Sequence, residues 1–445
     1  MSLRDHARAI LHAAIAAADP RQAVRGALRI EGGVLMVADE ERIELGGVDR
    51  IWLIGAGKAA VGMALGARDV LGERIAGGMV TTRDGYGGEV PGIEVWEAAH
   101  PVPDTRGLAA AAQALACARA AGERDLLLCL LSGGASALWP APVGGVSLTD
   151  LKALTGALLR AGATIREINA VRKHLSRIGG GWLARAAYPA RVVTLVVSDV
   201  VGSPLDVIGG GPTVPDPSTF ADALGVLSAY EIAAPPAALR HLRAGAAGEA
   251  PETPKPGGAE FDSVSAHVVA QNADALRGAA DEAGRLGYRA VILADDLEGE
   301  AREVAHGIAR VALERQRALA PGDAPLALLL GGETTVTVRG RGTGGRNQEL
   351  ALALALELNG RPGIVAASLG TDGTDGPTPA AGGMVDGETI KRGAAALLDA
   401  RDHLAANDSH PFLRATGDLL VTGPTGTNVC DVVLVLIRTD PDAQD

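Results

Sequence analysis

Short apolar runs alternate with Ala-rich stretches of helical period along almost the whole chain. The runs have the length of strands, as at 51–54, 126–131, 192–197, 326–330 and 364–368, and helical patterns follow them. This alternation is typical of stacked βαβ units with a mostly parallel sheet. Because both faces of such a sheet are covered, its strands can be apolar throughout, as these runs are. The pattern therefore predicts an α/β fold.

The clearest interruption of this pattern is residues 244–258, AGAAGEAPETPKPGG. The segment is rich in Pro and Gly, has no large apolar side chain and shows no periodicity, which is typical of a linker or a long surface loop. We therefore predict two α/β lobes, over 1–243 and 259–445, joined by a linker at 244–258.

Composition and charge exclude several classes of partner. The chain of 445 residues has a net charge of −12 and only four Trp, four Tyr and three Phe, so neither nucleic acid nor an anionic membrane is a favoured partner. No apolar run approaches the roughly 18 residues of a membrane-spanning helix. The three cysteines are odd in number and form no C-x-x-C pair, which favours a reducing, cytoplasmic location.

Glycine-rich loops with polar side chains follow several predicted strands, and the first two of them follow the strands at 51–54 and 126–131. The loop GAGKAA, from Gly55, fits the dinucleotide pattern G-x-G-x-x-A, yet a plain strand-to-helix turn explains it equally well. Lys58 would begin a helix, where an anion in the same site would explain a cation. The loop SGGAS, from Ser132, could bring backbone amides close to an oxyanion, or Ser136 could simply cap a helix.

Charged residues near other strand ends leave similar alternatives open. Asp199 ends an apolar strand and is either a cap or a ligand of nucleotide-bound Mg²⁺. The basic segment at Arg172, Lys173 and His174 is either a solvated helical face or part of a site. In the second lobe, Arg346 begins a helix after glycines, as Lys58 does. Together these loops favour a polyanion bound between the lobes, most naturally a nucleotide with Mg²⁺.

Taken together, the motifs GAGKAA, HPVPD, SGGASAL, NAVRKHLSRIGGG, VVSDVVGSPLDVI, GGETTV, GGRNQELALA, GTDGTDGPT and TGPTGTNVCD resemble those of the class II glycerate 2-kinases in order and spacing. The resemblance covers nearly the whole chain. It implies a Rossmann-like first lobe, an active site in the cleft between the lobes, and ATP- and Mg²⁺-dependent (or Mn²⁺-dependent) phosphorylation of D-glycerate to 2-phosphoglycerate. An NAD(P)H-dependent hydroxypyruvate reductase is the alternative, since proteins of this kind often carry that label.

The resemblance also implies roles for particular residues. The catalytic candidates are Lys58, Arg346 and Asp199. The metal-binding candidates are Asp199, Asp206 and Asp372. The candidates for binding substrate or nucleotide are Gly55, Gly57, Ser132, Gly133, Gly134, Ser136, Arg172, Lys173, His174, Glu333, Asn347, Asp372, Gly373 and Asp375. We expect small-molecule partners only, in a monomer or homodimer.

Overall fold

The computed structural model describes residues 2–439, which form two compact units. The N-terminal unit is Pro20–Ala270, and the C-terminal unit combines the chain from Gln271 onward with the segment that ends at Asp19. In chain order the strands are β1 (Leu28–Glu31), β2 (Val34–Val37), β3 (Glu41–Glu44), β4 (Ile51–Ala56), β5 (Ile75–Arg83), β6 (Glu94–Ala98), β7 (Leu126–Ser132), β8 (Arg191–Val197), β9 (Val264–Ala270), β10 (Arg289–Leu297), β11 (Leu326–Gly332), β12 (Ile364–Gly370), β13 (Gly382–Asp386), β14 (Leu419–Leu420) and β15 (Asp431–Ile437).

Helices of very different length connect these strands. In chain order they are α1 (Leu3–Ala17), α2 (Pro20–Ala27), α3 (Ala60–Leu71), α4 (Thr105–Ala120), α5 (Ala135–Leu138), α6 (Leu148–Arg160), α7 (Ile165–Lys173), α8 (Trp182–Ala187), α9 (Phe220–Ala229), α10 (Pro236–Ala246), α11 (Asn272–Arg285), α12 (Ala301–Arg317), α13 (Arg346–Glu357), α14 (Thr389–Ala395), α15 (Ala400–Ala405) and α16 (Ser409–Thr416). None of the helices between residues 2 and 439 is long and apolar enough to cross a membrane.

The N-terminal unit contains the predicted parallel sheet. Its strand order is β6-β5-β4-β7-β8-β9, and every neighbouring pair runs parallel. The central strand β7 is buried over its whole length, which its sequence LLLCLLS permits because helices cover both faces. A small antiparallel sheet of β1, β2 and β3, which the apolar pattern did not predict, belongs to the same unit.

The C-terminal unit has a mixed sheet, in the order β10-β11-β15-β12-β13-β14. Only β10 and β11 pair in parallel; β15 lies between β11 and β12 and runs antiparallel to both. The prediction of two α/β lobes is thus confirmed, but the mostly parallel sheet is found in the N-terminal unit alone. Apolar runs are equally long in both sheets, so they could not reveal strand direction.

The division between the units differs from the predicted one. Strand β9, beyond the proposed linker, adds to β8 as the edge of the N-terminal sheet, while α1 packs against α11 in the C-terminal unit. Segment 244–258 is not an extended linker: α10 reaches Ala246, and the Thr253 hydroxyl is buried and donates a hydrogen bond to Asp216. The side chain that holds this segment, Thr253, is polar, and composition alone cannot distinguish a buried polar side chain from one in a solvated loop.

Candidate active site

The backbone amides of the turn between β4 and α3 donate hydrogen bonds to acceptors within the protein. The amide of Gly57 donates to the carbonyl of Thr81, and the amide of Lys58 donates to the carbonyl of Gly133. The amide of Ala59 donates to the hydroxyl of Ser132, and the amide of Ala60 donates to the carbonyl of Gly57. A dinucleotide or phosphate bound at such a turn needs these donors. Four consecutive amides are therefore already occupied by the protein.

The glycines of this turn allow close packing between neighbouring chain segments. A Cβ on Gly57 would lie 2.0 Å from Oγ of Ser132, and one on Gly55 would lie 2.8 Å from the carbonyl oxygen of Leu130. Gly57 also has φ near +137°, which side chains rarely adopt. Both glycines therefore allow β4 and α3 to pack against β7, and the nucleotide-binding role of Gly55 and Gly57 stays a prediction.

A cavity of about 460 Å³ lies within the N-terminal unit. The loop after β7 forms part of its wall through Gly134 and Ser136. Gly134 has φ near +91° and comes so close to His100 that a Cβ would lie 2.9 Å from the imidazole ring. Among the described residues, no acceptor is found for the backbone amides of Gly134 and Ser136, in contrast to the turn before α3.

The wall of this cavity carries positive charge without any carboxylate. Lys152, Arg172 and Lys173 line it, whereas no Asp or Glu of residues 2–439 does. Such a lining is unusual in a chain with a net charge of −12. Because cations in the wall of a cavity attract anions, the lining favours a ligand with phosphate or carboxylate groups.

Arg172 is the cation that most requires such a ligand. Its guanidinium is partly buried and donates through Nη2 to the carbonyl of Ser136 at 3.2 Å. It forms no ion pair with any carboxylate of residues 2–439, and burial lowers its pKa. A guanidinium has five N–H donors, so most of them are left for a ligand.

Lys173 differs from Arg172 because its charge is compensated within the protein. Its side chain is 5% exposed, and Nζ lies 3.4 Å from a carboxylate oxygen of Asp206 and also 3.4 Å from a carboxylate oxygen of Asp216. Asp216 is fully buried and also accepts hydrogen bonds from Ser218 and Thr253. Asp206, predicted as a metal ligand, is therefore an ion-pair partner of Lys173 in this structure.

Three more predicted residues of this unit do not line the cavity. The Ser132 hydroxyl is buried and accepts the amide of Ala59, and the carbonyl of Gly133 accepts the amide of Lys58. His174 is buried between the carbonyl of Ala170, 2.7 Å from Nδ1, and the carboxylate of Glu252, 2.8 Å from Nε2. The hydrogen bonds of these three residues hold neighbouring chain segments in place, and their contact with a ligand stays a prediction.

In the C-terminal unit, the predicted residues converge on the beginning of α13. Arg346 is the first residue of that helix, and its Nε and Nη2 donate to the two carboxylate oxygens of Asp431 at 2.5 and 2.9 Å. Its Nη1 lies 2.8 Å from Glu333, which follows β11. Burial alone would lower the pKa of Arg346, but the bonds to Asp431 outweigh burial and raise it. The guanidinium is thus held at three of its donors.

Asp375 fixes the first turn of this helix. Its carboxylate accepts the backbone amides of Asn347 and Gln348 and the side-chain amide of Gln348. Burial raises its pKa, although these hydrogen bonds act in the opposite direction. With both oxygens engaged, Asp375 orients the helix that carries Arg346. Asn347, whose side chain accepts the hydroxyl of Ser368, is likewise held inside the unit.

The remaining carboxylate candidates lie after strands, as predicted. Asp199 follows β8, and Asp372 follows β12 with Oδ1 accepting the amide and hydroxyl of Thr374. Gly373 has φ near +84° and packs so closely that a Cβ would lie 2.0 Å from the carbonyl of Gly423. Within residues 2–439, no group of three or more His, Cys, Asp or Glu side chains could hold a metal ion.

Sequence reasoning missed several residues of both sites. Trp139 lines the cavity, with its indole N–H donating to the hydroxyl of buried Thr81 at 3.0 Å, and α6 supplies Leu151, Lys152 and Thr155. The four-residue spacing of Leu151, Thr155 and Leu159 was a visible signal for a shared helical face. Asp431 is the last residue of the motif TGPTGTNVCD, but it was not named as a candidate because it begins a strand instead of ending one.

Comparison with known proteins finds a family match in each of two separate parts of the chain. Residues 6–243 match the family described as a domain of unknown function (DUF4147), and residues 326–431 match the MOFRL family. A crystal structure of glycerate kinase from Thermotoga maritima is similar, with a TM-score of 0.85 and 42% identity, over 98% of this chain and 100% of that one.

Curated relatives align over nearly the full length. The glycerate 2-kinase of Pyrococcus horikoshii is 40% identical over 99% of this chain and 98% of that protein. A protein of Agrobacterium vitis, provisionally named hydroxypyruvate reductase, is 42% identical over 98% of this chain and 95% of its own length. The chain therefore belongs to the family of two-domain proteins, DUF4147 followed by MOFRL, that includes these glycerate 2-kinases.

Proposed function

We propose that the protein transfers the γ-phosphoryl group of ATP to the 2-hydroxyl of D-glycerate, with 2-phosphoglycerate and ADP as products. The observation that carries the proposal is the cavity whose wall includes Lys152 and Arg172, with no Asp or Glu among its described lining residues, in an acidic chain. Both substrates are anions, and relatives named glycerate kinase match almost the entire chain. The choice of the 2-hydroxyl follows the names of these relatives.

In this reaction the 2-hydroxyl oxygen of glycerate forms a bond to the γ-phosphorus while the bond from that phosphorus to the bridging oxygen of ADP breaks. Lys58 and Arg346 stabilise the negative charge on the transferring oxygens and on ADP. Asp199 accepts the proton of the hydroxyl. The carboxylates of Asp431 and Glu333 hold the guanidinium of Arg346 in one orientation, so little reorganisation is needed when charge develops.

The proposal includes a Mg²⁺ ion, for which Mn²⁺ could substitute. The donor chemistry fits, because Asp372 offers hard carboxylate oxygens after strand β12. Mg²⁺ typically takes one or two protein carboxylates and completes its coordination with water and substrate phosphates, so a cluster of three acidic side chains is not required. When bound, the ion would neutralise charge on the phosphates of ATP.

A nicotinamide-dependent reductase is less compatible with the turn after β4. That reading depended on the G-x-G-x-x-A pattern, whose amides from Gly57 to Ala60 all bind acceptors within the protein. A pyrophosphate at this turn would have to replace those bonds. The cytoplasmic location and the monomeric or dimeric state expected from the sequence remain parts of the proposal.

One experiment separates the two activities. The purified protein is assayed for ADP release with D-glycerate, ATP and Mg²⁺, and in parallel for NADPH and NADH oxidation with hydroxypyruvate. We expect ADP release that requires D-glycerate and is abolished by excess EDTA, with no oxidation of either dinucleotide. Lys58→Ala tests whether the activity belongs to the protein itself, with exposed Lys391→Ala as the matched control. Dinucleotide oxidation without ADP release would replace the kinase by the reductase.

A further inference from the structure

The cavity of the N-terminal unit is much larger than the proposed acceptor. Cavities of about 300–1,000 Å³ bind ligands of the size of drugs or cofactors. Glycerate, a three-carbon acid, would leave most of the 460 Å³ empty. The volume therefore corresponds to the larger of the two substrates.

The lining of the cavity combines two kinds of chemistry. Lys152 and Arg172 provide the positive charge, since that of Lys173 is compensated by Asp206 and Asp216, and Arg172 has no carboxylate partner among residues 2–439. The other side chains of the wall are mainly apolar: Val102, Trp139, Pro140, Ala141, Leu151, Leu159 and Ile178. A small polar acid such as glycerate would make no use of this apolar part.

Helix α6 presents one continuous face to the cavity. Leu151, Thr155 and Leu159 are spaced by four residues and all line the wall, with Gly156 beside them. Leu159 is 62% exposed, so a large apolar side chain here is left uncovered by the protein. A flat, mostly apolar group lying on this face would remove apolar surface from water.

We infer that this cavity is the nucleotide subsite of the enzyme, in which α6 contacts the base and Arg172 binds phosphate. The inference rests on the proposed function and deepens it by assigning one substrate to one cavity. A nucleotide combines a flat base with a polyanion, as the wall combines an apolar helix face with cations. The acceptor D-glycerate would then bind elsewhere.

Two variants test the two parts of the cavity separately. Arg172→Met removes the charge at similar length, and Arg166→Met, exposed on the same helix α7, is its control. Gly156→Leu adds a side chain to the wall; its Cβ would meet only the end of the flexible, exposed Arg160 side chain, at 3.2 Å. The control is Gly225→Leu, on α9, where a Cβ would contact nothing. Circular dichroism verifies that all four variants fold.

Calorimetric titration with ATP, adenosine, inorganic triphosphate and D-glycerate then measures binding without turnover. We expect Arg172→Met to weaken the binding of ATP and of triphosphate at least about tenfold, a typical loss for a charge-assisted contact. Gly156→Leu should weaken the binding of ATP and of adenosine at least about tenfold. Its affinity for triphosphate should stay within about twofold of the wild-type affinity. Both controls should bind all four ligands as the wild type does.

The outcomes distinguish the inference from the proposed function. Unchanged ATP binding in both variants, with a raised KM for D-glycerate, would assign the cavity to the acceptor and overturn the inference while the kinase activity stands. Conversely, weakened ATP binding in a protein that never phosphorylates D-glycerate would keep the nucleotide subsite and overturn the acceptor. If Arg172→Met lost adenosine binding and Gly156→Leu kept it, this would contradict the assignment of the base to α6 and of the phosphate to Arg172.

Discussion

At the scale of single residues, Asp431 and Arg346 form one ion pair with two hydrogen bonds. Asp431 is 6% exposed, and its carboxylate binds two donors of the guanidinium. Strand β15 runs antiparallel to its neighbours, so its first residue, Asp431, lies opposite Gly332 and Gly370 at the ends of β11 and β12. This register explains how a residue that begins a strand reaches the helix that begins with Arg346.

We predict that Asp431→Asn lowers kcat by about 100-fold, the cost expected for misplacing a catalytic group by about an ångström. As a positioning residue, Asp431 should affect kcat more than the KM of either substrate. Steady-state kinetics measures this division, with exposed Asp402→Asn as control. An unchanged kcat in a folded Asp431→Asn protein would show that Arg346 needs no such support.

A second residue-scale prediction concerns the turn before α3. Gly57→Ala should destabilise the protein by about 3 kcal/mol or more, because its Cβ would overlap both Oγ and the backbone of Ser132. Gly72→Ala is the control: Gly72 also has positive φ, but a Cβ there would contact nothing, so a loss of about 1–2 kcal/mol is expected. Urea denaturation measures both, and equal losses would contradict the packing role of Gly57.

At the scale of secondary-structure elements, helix α1 is a structural part of the C-terminal unit. Arg4 donates to Asp386, Asp418 and the carbonyl of Met384. Arg392 reaches the same two carboxylates. Burial alone would raise the pKa of Asp386, but the bonds from Arg392 and Arg4 outweigh burial and hold this pKa below its ordinary value.

We predict that Arg4→Met destabilises the C-terminal unit by about 1–3 kcal/mol, because buried Asp418 loses a charged donor. Arg8→Met, on the exposed side of α1, should have little effect. Scanning calorimetry measures the difference. Equal behaviour of the two variants would show that α1 contributes nothing through Arg4.

The lowered pKa of Asp386 also predicts a dependence on pH. An unfolded Asp titrates near 4 and binds protons more strongly than this native carboxylate, so the contribution of Asp386 to stability is complete above pH 4. It is lost as the pH falls through the lower, native-state pKa. Wild-type unfolding free energy, measured between pH 7 and 2, should therefore fall more steeply than that of Arg4→Met; parallel curves would contradict this linkage.

The sequence predicted elements better than their arrangement. Strands β4, β7 and β8 lie where the apolar runs 51–54, 126–131 and 192–197 predicted them. However, apolar runs are insensitive to direction, so the antiparallel β15 and the role of Asp431 were not predictable. The glycine-rich pattern at Gly55 and Gly57 was equally ambiguous, because close packing and phosphate binding both require glycine, and here packing explains it. Arg172 was found only as part of a basic segment.

At the scale of the whole molecule, the proposal assigns the stabilisation of charge in the transition state to Lys58 and Arg346. Lys58→Ala and Arg346→Ala should each lower kcat by roughly 10³–10⁵-fold while the protein stays folded, by analogy with arginine fingers. The double variant should lose less than the product of the two single losses, as expected for residues that act together. Arg346→Lys should restore little, since an ammonium cannot replace the fork that binds Asp431. Strictly multiplicative losses would indicate two independent sites.

The central claim is that the protein phosphorylates the 2-hydroxyl of D-glycerate with ATP. Phosphorus NMR of a mixture of the protein, D-glycerate, ATP and Mg²⁺ tests it most directly, because the resonances of the 2- and 3-phosphate esters are distinct. The account predicts that 2-phosphoglycerate and ADP accumulate in equal amounts and that no product forms with the Lys58→Ala protein. A dominant 3-phosphate ester, or no phosphate ester at all with the folded wild-type protein, would contradict it.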